Sequence, residues 1–417
     1  MDEQSVIQLA QAARAAGRIM GIQGAALRDA ALQALTRRLE ARIDDILAAN
    51  AKDVEQAQAR GTSAAMLDRL RLTRARVLDM VRGVDEIRSL PDPVGEVVAG
   101  WTRPKGLEIQ EVRVPLGVVA VIYESRPNVT IDVTALCLKS GNAVILKGGS
   151  DALNSNRALV GAVHEALAEV GLITSACQLL DVADRSVVRL LLQQEQWIDV
   201  AIPRGGEGLI REVVQNSRVP VIRQYKGVCH IYVAPDAEVM RAIPLILNAK
   251  CQRPGTCNSL ETLLVDEKIA AEFLPEMARA LVEAGVEMRG CDRTMALVAS
   301  ALPATELDWD TEYLDLILSI RIVDSIDVAI RHINAHGSGH SESILTNRLD
   351  LAHRFQHEVD AACVYVNAST RFTDGGQFGF GAEVGISTGK LHSRGPMGIR
   401  DLTTRKFLVR GDYASRD

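Results

Sequence analysis

The chain has 417 residues, 47% hydrophobic and 24% charged, the composition of a soluble globular protein with room for two or three packed domains. Its net charge of -6 argues against a broad nucleic-acid footprint or a surface held to anionic lipid, and leaves small phosphorylated metabolites as candidate ligands. Seven cysteines, an odd number without paired spacing, make neither a disulfide framework nor a C-x-x-C metal site, so reduced thiols and a cytoplasmic setting are expected.

The N-terminus, Met1-Asp2-Glu3-Gln4-Ser5, is acidic where a secretory signal is basic and apolar, and no run of about 18 apolar residues follows. Over residues 1–90, Leu32, Leu35, Leu39, Ile43, Ile46 and Leu47 recur at helical spacing and predict a helical lead-in. Residues 94–114 alternate apolar and polar around Trp101-Thr102-Arg103-Pro104-Lys105-Gly106, the pattern of a hairpin with a polar turn. Short apolar runs at 116–123, 143–147, 178–182, 199–203 and 220–223 then alternate with helical segments at 154–170 and 185–194. A second series has strands at 229–233, 261–265, 316–323, 342–346 and 363–367, with helices near 269–285 and 325–336. Such alternation predicts two mostly parallel α/β units with a cleft between them. From about residue 375 the chain is Gly-rich and irregular until 403–409, an expected edge strand; no repeat or low-complexity linker is present.

Several turns carry chemistry. Lys147-Gly148-Gly149-Ser150-Asp151 and Arg204-Gly205-Gly206-Glu207-Gly208 each follow an apolar strand with glycines and a cation, where backbone N–H groups can approach a phosphate. Neither is a G-x-G-x-x-G or Walker loop, and a plain Gly-Gly turn beside a solvated cation fits each alone. Together, at the carboxyl ends of two strands, they point to a nucleotide. Asn128, in Glu124-Ser125-Arg126-Pro127-Asn128-Val129-Thr130, leaves another strand end, where its amide either closes a turn or donates to a developing oxyanion. Among the cysteines, Cys137, Cys229 and Cys363 sit in apolar runs, Cys177 gives no signal, and Cys251 and Cys291 have polar neighbours. Cys257 alone lies in a Pro-Gly turn, Gln252-Arg253-Pro254-Gly255-Thr256-Cys257-Asn258-Ser259, placed to react. His332, His336, His340 and His392 suggest a metal, but the first three lie in a Gly/Ser-rich stretch without companion carboxylates at ligand spacing, so no metal is expected.

In chain order, Pro115-Leu-Gly-Val-Val-Ala-Val-Ile122 with Asn128 six residues on, Ser140-Gly-Asn-Ala-Val-Ile-Leu-Lys147 and the Cys257 loop resemble the aldehyde dehydrogenase superfamily. The match is nearest to its members that reduce an acyl phosphate. It rests on residues 123–130 and 252–259, on Asn367-Ala-Ser-Thr-Arg-Phe-Thr-Asp-Gly-Gly376, and on His392-Ser-Arg-Gly-Pro-Met-Gly398. The resemblance implies an α/β fold with a Rossmann-type cofactor domain (1–92 and 115–227), an α/β catalytic domain (228–392) and a small oligomerisation arm (93–114 and 393–417). It further implies reduction of L-glutamate 5-phosphate by NADPH to glutamate 5-semialdehyde and phosphate, through a thioester on Cys257, as the second step of proline biosynthesis. By the same resemblance Asn128 and the Cys257 backbone N–H hold the oxyanion, Lys147, Ser150, Arg204 and Gly205 meet the cofactor, and Glu312 grips the nicotinamide ribose.

Two departures from the general pattern sharpen this expectation. Acid-releasing members keep a glutamate that activates water in a Glu-Leu-Gly-Gly-Lys segment, which here reads Gln224-Tyr225-Lys226-Gly227-Val228. NAD-preferring relatives often carry an acid at the position of Ser150, where a serine instead accommodates the 2'-phosphate of NADP beside Lys147; Asp151 is the residue that would spoil this. Arg126, Arg253 and Arg371 are the candidate receptors for substrate phosphate and carboxylate, without assignment of one to each. The rivals are an acid-producing NAD enzyme and a catalytically silent binding protein. With no further domain before the helical lead-in, the glutamate 5-kinase that makes the substrate is expected as a separate chain, and the arm predicts a homodimer or higher homo-oligomer.

Overall fold

The computed structural model describes residues 1–182 and 184–416, in two compact units. The first comprises Met1–Arg223, Gly379–Gly385 and the chain from Met397 onward; the second comprises Gln224–Phe378 and Ile386–Pro396.

The first unit opens with helices α1 (Glu3–Met20), α2 (Ala25–Ala41), α3 (Ile43–Ala59), α4 (Ala64–Leu70) and α5 (Arg74–Ser89). Asp2 caps α1 by accepting the Ser5 N–H at 2.9 Å, satisfying one of the orphan donors of its first turn. The predicted stripe is the buried one: Leu32, Leu35, Leu39, Ile43 and Ile46 all lie in the core. The hairpin follows as β1 (Val97–Arg103) and β2 (Leu107–Pro115), turning through Pro104–Gly106 with Lys105 at φ 67°. Trp101, expected in the turn, lies within β1 opposite Ile109.

The core of this unit is a parallel sheet of β3 (Val118–Tyr123), β4 (Ala143–Lys147), β5 (Cys177–Leu179) and β6 (Val200–Arg204), ordered β5-β4-β3-β6. Every residue of β3 and β4 is buried, which is why these strands read as continuous apolar runs rather than alternating ones. Helix α6 (Pro127–Lys139) connects β3 to β4, α7 (Leu153–Glu169) connects β4 to β5, α8 (Arg185–Leu192) precedes β6 and α9 (Glu207–Asn216) follows it. The strand order therefore reverses at β3, and the crevice such a reversal creates opens at the carboxyl ends of β3 and β6. Residues 220–223 form no strand; Val221 makes a single parallel bridge to Ala201.

The second unit alternates β7 (Cys229–Val233), α10 (Val239–Cys251), β8 (Leu260–Asp266), α11 (Glu267–Glu283), β9 (Glu287–Gly290), α12 (Asp292–Leu297), β10 (Leu302–Pro303), β11 (Ile317–Val323), α13 (Ile326–His336), β12 (Ser341–Leu345), α14 (Leu349–Glu358) and β13 (Cys363–Val366). The strands form one parallel sheet ordered β10-β9-β11-β8-β7-β12-β13. Ile231, Leu263 and Ile320 pack on α10 and α11 on one face, and Tyr232, Leu264 and Ile344 on α13 and α14 on the other. The short strands β9 and β10 and the helices α10, α12 and α14 went unanticipated. A short pair, β14 (Ile386–Ser387) with β15 (Gly395–Pro396), follows, and β16 (Thr403–Arg410) returns to pair antiparallel with β2. Among the described residues no helix is long and apolar enough to cross a membrane.

Candidate active site

In the first unit the expected residues gather at the carboxyl ends of the strands. β3 runs into Glu124-Ser125-Arg126, where Ser125 takes φ 24° and its hydroxyl donates to the Asp151 carboxylate. Arg126 sits at ψ 81°, outside the helical region as the following Pro127 requires, and α6 begins. Asn128, exposed at the second position of α6, donates from Nδ2 to Asp132 Oδ2 at 2.9 Å. Burial pushes the Asp132 carboxyl up to about 6, against the Asn128 hydrogen bond and the Arg204 charge, with the Glu383 charge adding to the rise.

Lys147 ends β4 with its ammonium buried on the Gly148 carbonyl at 2.6 Å, and Ser150 is exposed at the start of the next turn. Arg204 ends β6, 4.0 Å from Glu383, and its Nε is buried with no hydrogen-bond partner among the described residues. Gly205 lies close against Glu124: a Cβ there would stand 2.4 Å from Glu124 Oε2, the same oxygen that accepts the Gly206 N–H at 2.9 Å, so a larger residue would displace that side chain. Behind them Tyr123, Thr130 and Asn156 are hydrogen-bonded in series at 2.7 and 2.9 Å, and Asn156 Nδ2 is buried without a partner beside Gly148. Glu124, Asp132, Asn156 and Glu383 were not singled out from the sequence; only Asp132 was legible, one helical turn past Asn128.

In the second unit Cys257 is half-buried in the loop between α10 and β8. The loop is held from several sides. Gly227 presses on its backbone so closely that a Cβ would stand 1.7 Å from the Cys257 carbonyl oxygen, and the buried Cys229 thiol donates to that oxygen at 3.3 Å. Asn258 donates to the Thr373 carbonyl at 2.8 Å and accepts, at its own carbonyl, from Thr370 Oγ1 at 2.7 Å. Arg371 donates to Gln252 Oε1 and Thr256 Oγ1, both at 2.9 Å. Burial and the neighbouring Arg253 charge lower the Arg371 pKa, while Cys257 and Asp374 act in the opposite sense. Arg371 is thus a brace on the loop, and Arg253 is exposed.

Glu312 accepts the Gly227 N–H on Oε1 at 2.9 Å, and Lys226 donates to the Asp310 carbonyl at 2.6 Å, so segment 224–228, which holds no acid, is tied down at residues 310–312. At the neck of the Cys257 loop, Lys250 and Glu261 form a wholly buried ion pair at 2.7 Å. Burial pushes Glu261 up to about 7 and Lys250 down, each opposed by its partner. Among the described residues no group of three His, Cys, Asp or Glu side chains is arranged to hold a metal ion.

The Aldehyde dehydrogenase family profile matches residues 1–301 and 300–407. The chain belongs to the aldehyde dehydrogenase family. Membership implies a nicotinamide cofactor, and the first unit suits one. Its strand reversal, the turns at Gly148, Gly149 and Gly205, the buried Lys147 ammonium and the unpartnered Arg204 Nε supply donors and close backbone approach at one end of the sheet. Among relatives, gamma-glutamyl phosphate reductase of Moorella thermoacetica is 55% identical over 401 residues, 96% of each chain, and that of Carboxydothermus hydrogenoformans is 53% identical over 411 residues, 99% of each. The crystal structure of gamma-glutamyl phosphate reductase from Thermotoga maritima superposes with a TM-score of 0.97 at 49% identity, covering 100% of both chains. An acetylating aldehyde dehydrogenase from Geobacillus thermoglucosidasius, 16% identical with a TM-score of 0.71 over 100% of this chain and 98% of that one, shares the fold.

Proposed function

We propose that the chain reduces L-glutamate 5-phosphate with NADPH to L-glutamate 5-semialdehyde and phosphate, the second step from glutamate to proline. The observation that carries this reading is the 55% identity, over 96% of the chain, to a relative named gamma-glutamyl phosphate reductase. In this reading residues 1–92 and 115–227 bind NADP, 228–392 carry the chemistry, and 93–114 with 393–417 join subunits.

Cys257 as thiolate adds to the acyl carbonyl, phosphate departs with the C–O electron pair, and a thioester remains on Sγ. The nicotinamide, when bound, supplies hydride, which a thioester accepts and a carboxylate does not, and the C–S bond then breaks to free the aldehyde and return Cys257 as thiolate. Asn128 Nδ2 and the Cys257 N–H receive the carbonyl oxygen as its charge grows. Arg126, Arg253 and Arg371 offer guanidinium groups to the substrate's phosphate and carboxylate. Lys147 and Ser150 meet the adenosine ribose and its 2'-phosphate, Arg204 and Gly205 the cofactor's phosphates, and Glu312 the nicotinamide ribose. The segment Gln224-Tyr225-Lys226-Gly227-Val228 lacks the carboxylate that would direct water at the thioester, which preserves the acyl group for phosphate exchange. The enzyme works in the cytoplasm as a homodimer or higher homo-oligomer and receives its labile substrate from a separate glutamate 5-kinase.

The deciding assay follows NADP reduction by purified protein with glutamate semialdehyde, with and without phosphate. Turnover that requires phosphate and prefers NADP supports the reading. Equal turnover without phosphate, or with NAD alone, overturns it.

A further inference from the structure

We propose that Asp132 is a positioning residue for Asn128, accepting one Nδ2 proton so that the other is presented to the substrate oxyanion. The inference rests on the role given to Asn128 above and adds what orients it. Asn128 is exposed at the start of α6, where a lone carboxamide is able to turn either its donors or its oxygen outward. A donor that must meet charge only as it develops has to be set beforehand.

Asp132 lies four residues on, on the same helical face, with Oδ2 2.9 Å from Asn128 Nδ2. A carboxylate only accepts hydrogen bonds, so its presence decides which end of the amide faces it: nitrogen toward Asp132, oxygen away. This is more than a solvated helix pair. Asp132 is partly buried, and its surroundings include Arg204 at the end of β6 and Glu383 of segment 379–385. The ion pair and carbonyl contact that Lys139 of α6 makes with Asp29 of α2 and Arg88 of α5 sit about two turns further along the helix. Burial raises the Asp132 carboxyl to about 6, so the group changes form just below neutral pH. Once protonated it donates, the amide oxygen turns to meet it, and the orientation is no longer enforced.

The test compares wild type, D132A, D132N, N128A and N128A/D132A in NADPH-dependent phosphate release from glutamate 5-phosphate, with the thermal midpoint of each as a check on folding. Losing the orientation but not the donor is expected to lower kcat by about tenfold, less than the 100-fold or more of losing an oxyanion donor. KM should stay within about twofold, since only the developing charge is affected. The double variant should be no slower than N128A. The acid limb of kcat near pH 6 should vanish in D132N, which keeps an acceptor but cannot ionise.

The same orientation is readable without turnover, as a pH-dependent shift of the Asn128 side-chain 15N resonance with a midpoint near 6 that D132N abolishes. Multiplicative losses in the double variant, an unchanged kcat in D132A, or an Asn128 resonance indifferent to pH overturn the proposal. Wild type that turns over without phosphate defeats the functional reading instead, and leaves the resonance to decide for Asp132.

Discussion

Cys257, the proposed nucleophile, sits in a loop that is pressed from behind by a residue without a side chain. Gly227 allows two backbones to meet where any Cβ would overlap the Cys257 carbonyl oxygen. Gly227→Ala is therefore expected to displace the loop and cut kcat by about 100-fold or more, comparable with a 1 Å misplacement of a reacting group, while circular dichroism stays near wild type. Cys257→Ser should abolish turnover, and iodoacetamide followed by peptide mass spectrometry should label Cys257 ahead of the buried Cys137, Cys177, Cys229 and Cys363. Full turnover in Cys257→Ser would rule out the covalent route. The turn around Cys257 was legible because Pro254 and Gly255 are its chain neighbours. Gly227 was not, since its close approach comes from a segment 30 residues away in sequence.

Among elements, the ends of the Cys257 loop are stapled by Lys250, at the close of α10, and Glu261, at the start of β8, both wholly buried. Lys250→Met leaves an unpaired buried carboxylate and is expected to cost about 3–5 kcal/mol, whereas Lys250→Met with Glu261→Leu should recover most of it. Chemical denaturation distinguishes the two outcomes, and equal losses in single and double variants would deny the pair its role.

Asp308 joins β9 to the segment leading to Glu312. It accepts from Arg289 and from the Tyr313 hydroxyl at 2.7 Å, and from the Thr305 N–H at 2.7 Å. Burial alone would raise its carboxyl, but these donors hold it well below the usual 3.8. A lowered folded-state pKa contributes stability above the unfolded value that is lost as pH falls through the folded one. Asp308→Asn should thus be less stable than wild type at pH 7 by about 1–3 kcal/mol, and the gap should begin to narrow only below about pH 4. A gap independent of pH in thermal melts would contradict the assignment. The buried strands β3, β4, β7 and β8 were readable as apolar runs, but β9 and β10 were not, because strands of four and two residues have too few positions to show a period.

At the scale of the molecule, β1, β2 and β16 form an antiparallel sheet with little of its own to cover. Every residue of β1 is exposed, and Val97, Phe407 and Val409 are 55%, 57% and 55% exposed. Apolar side chains on such a sheet are protected when a second copy covers them. Light scattering at micromolar concentration should show a dimer or larger assembly, and Phe407→Asp with Val409→Asp should shift it to monomer. A wild-type monomer would remove the homo-oligomer from the proposal.

The sequence by itself determined the fold class and the turns proposed to carry chemistry. Apolar runs, glycines and prolines act on their own neighbours in the chain, and they marked Asn128, Lys147, Arg204 and Cys257. Only the tertiary structure decided what those residues touch. Arg371 proved to brace Gln252 and Thr256 across more than 110 positions, Asp132 to feel the charges of Arg204 and Glu383, and Gly227 to back Cys257. Such relations depend on the packing of segments remote in the chain, which no local pattern records.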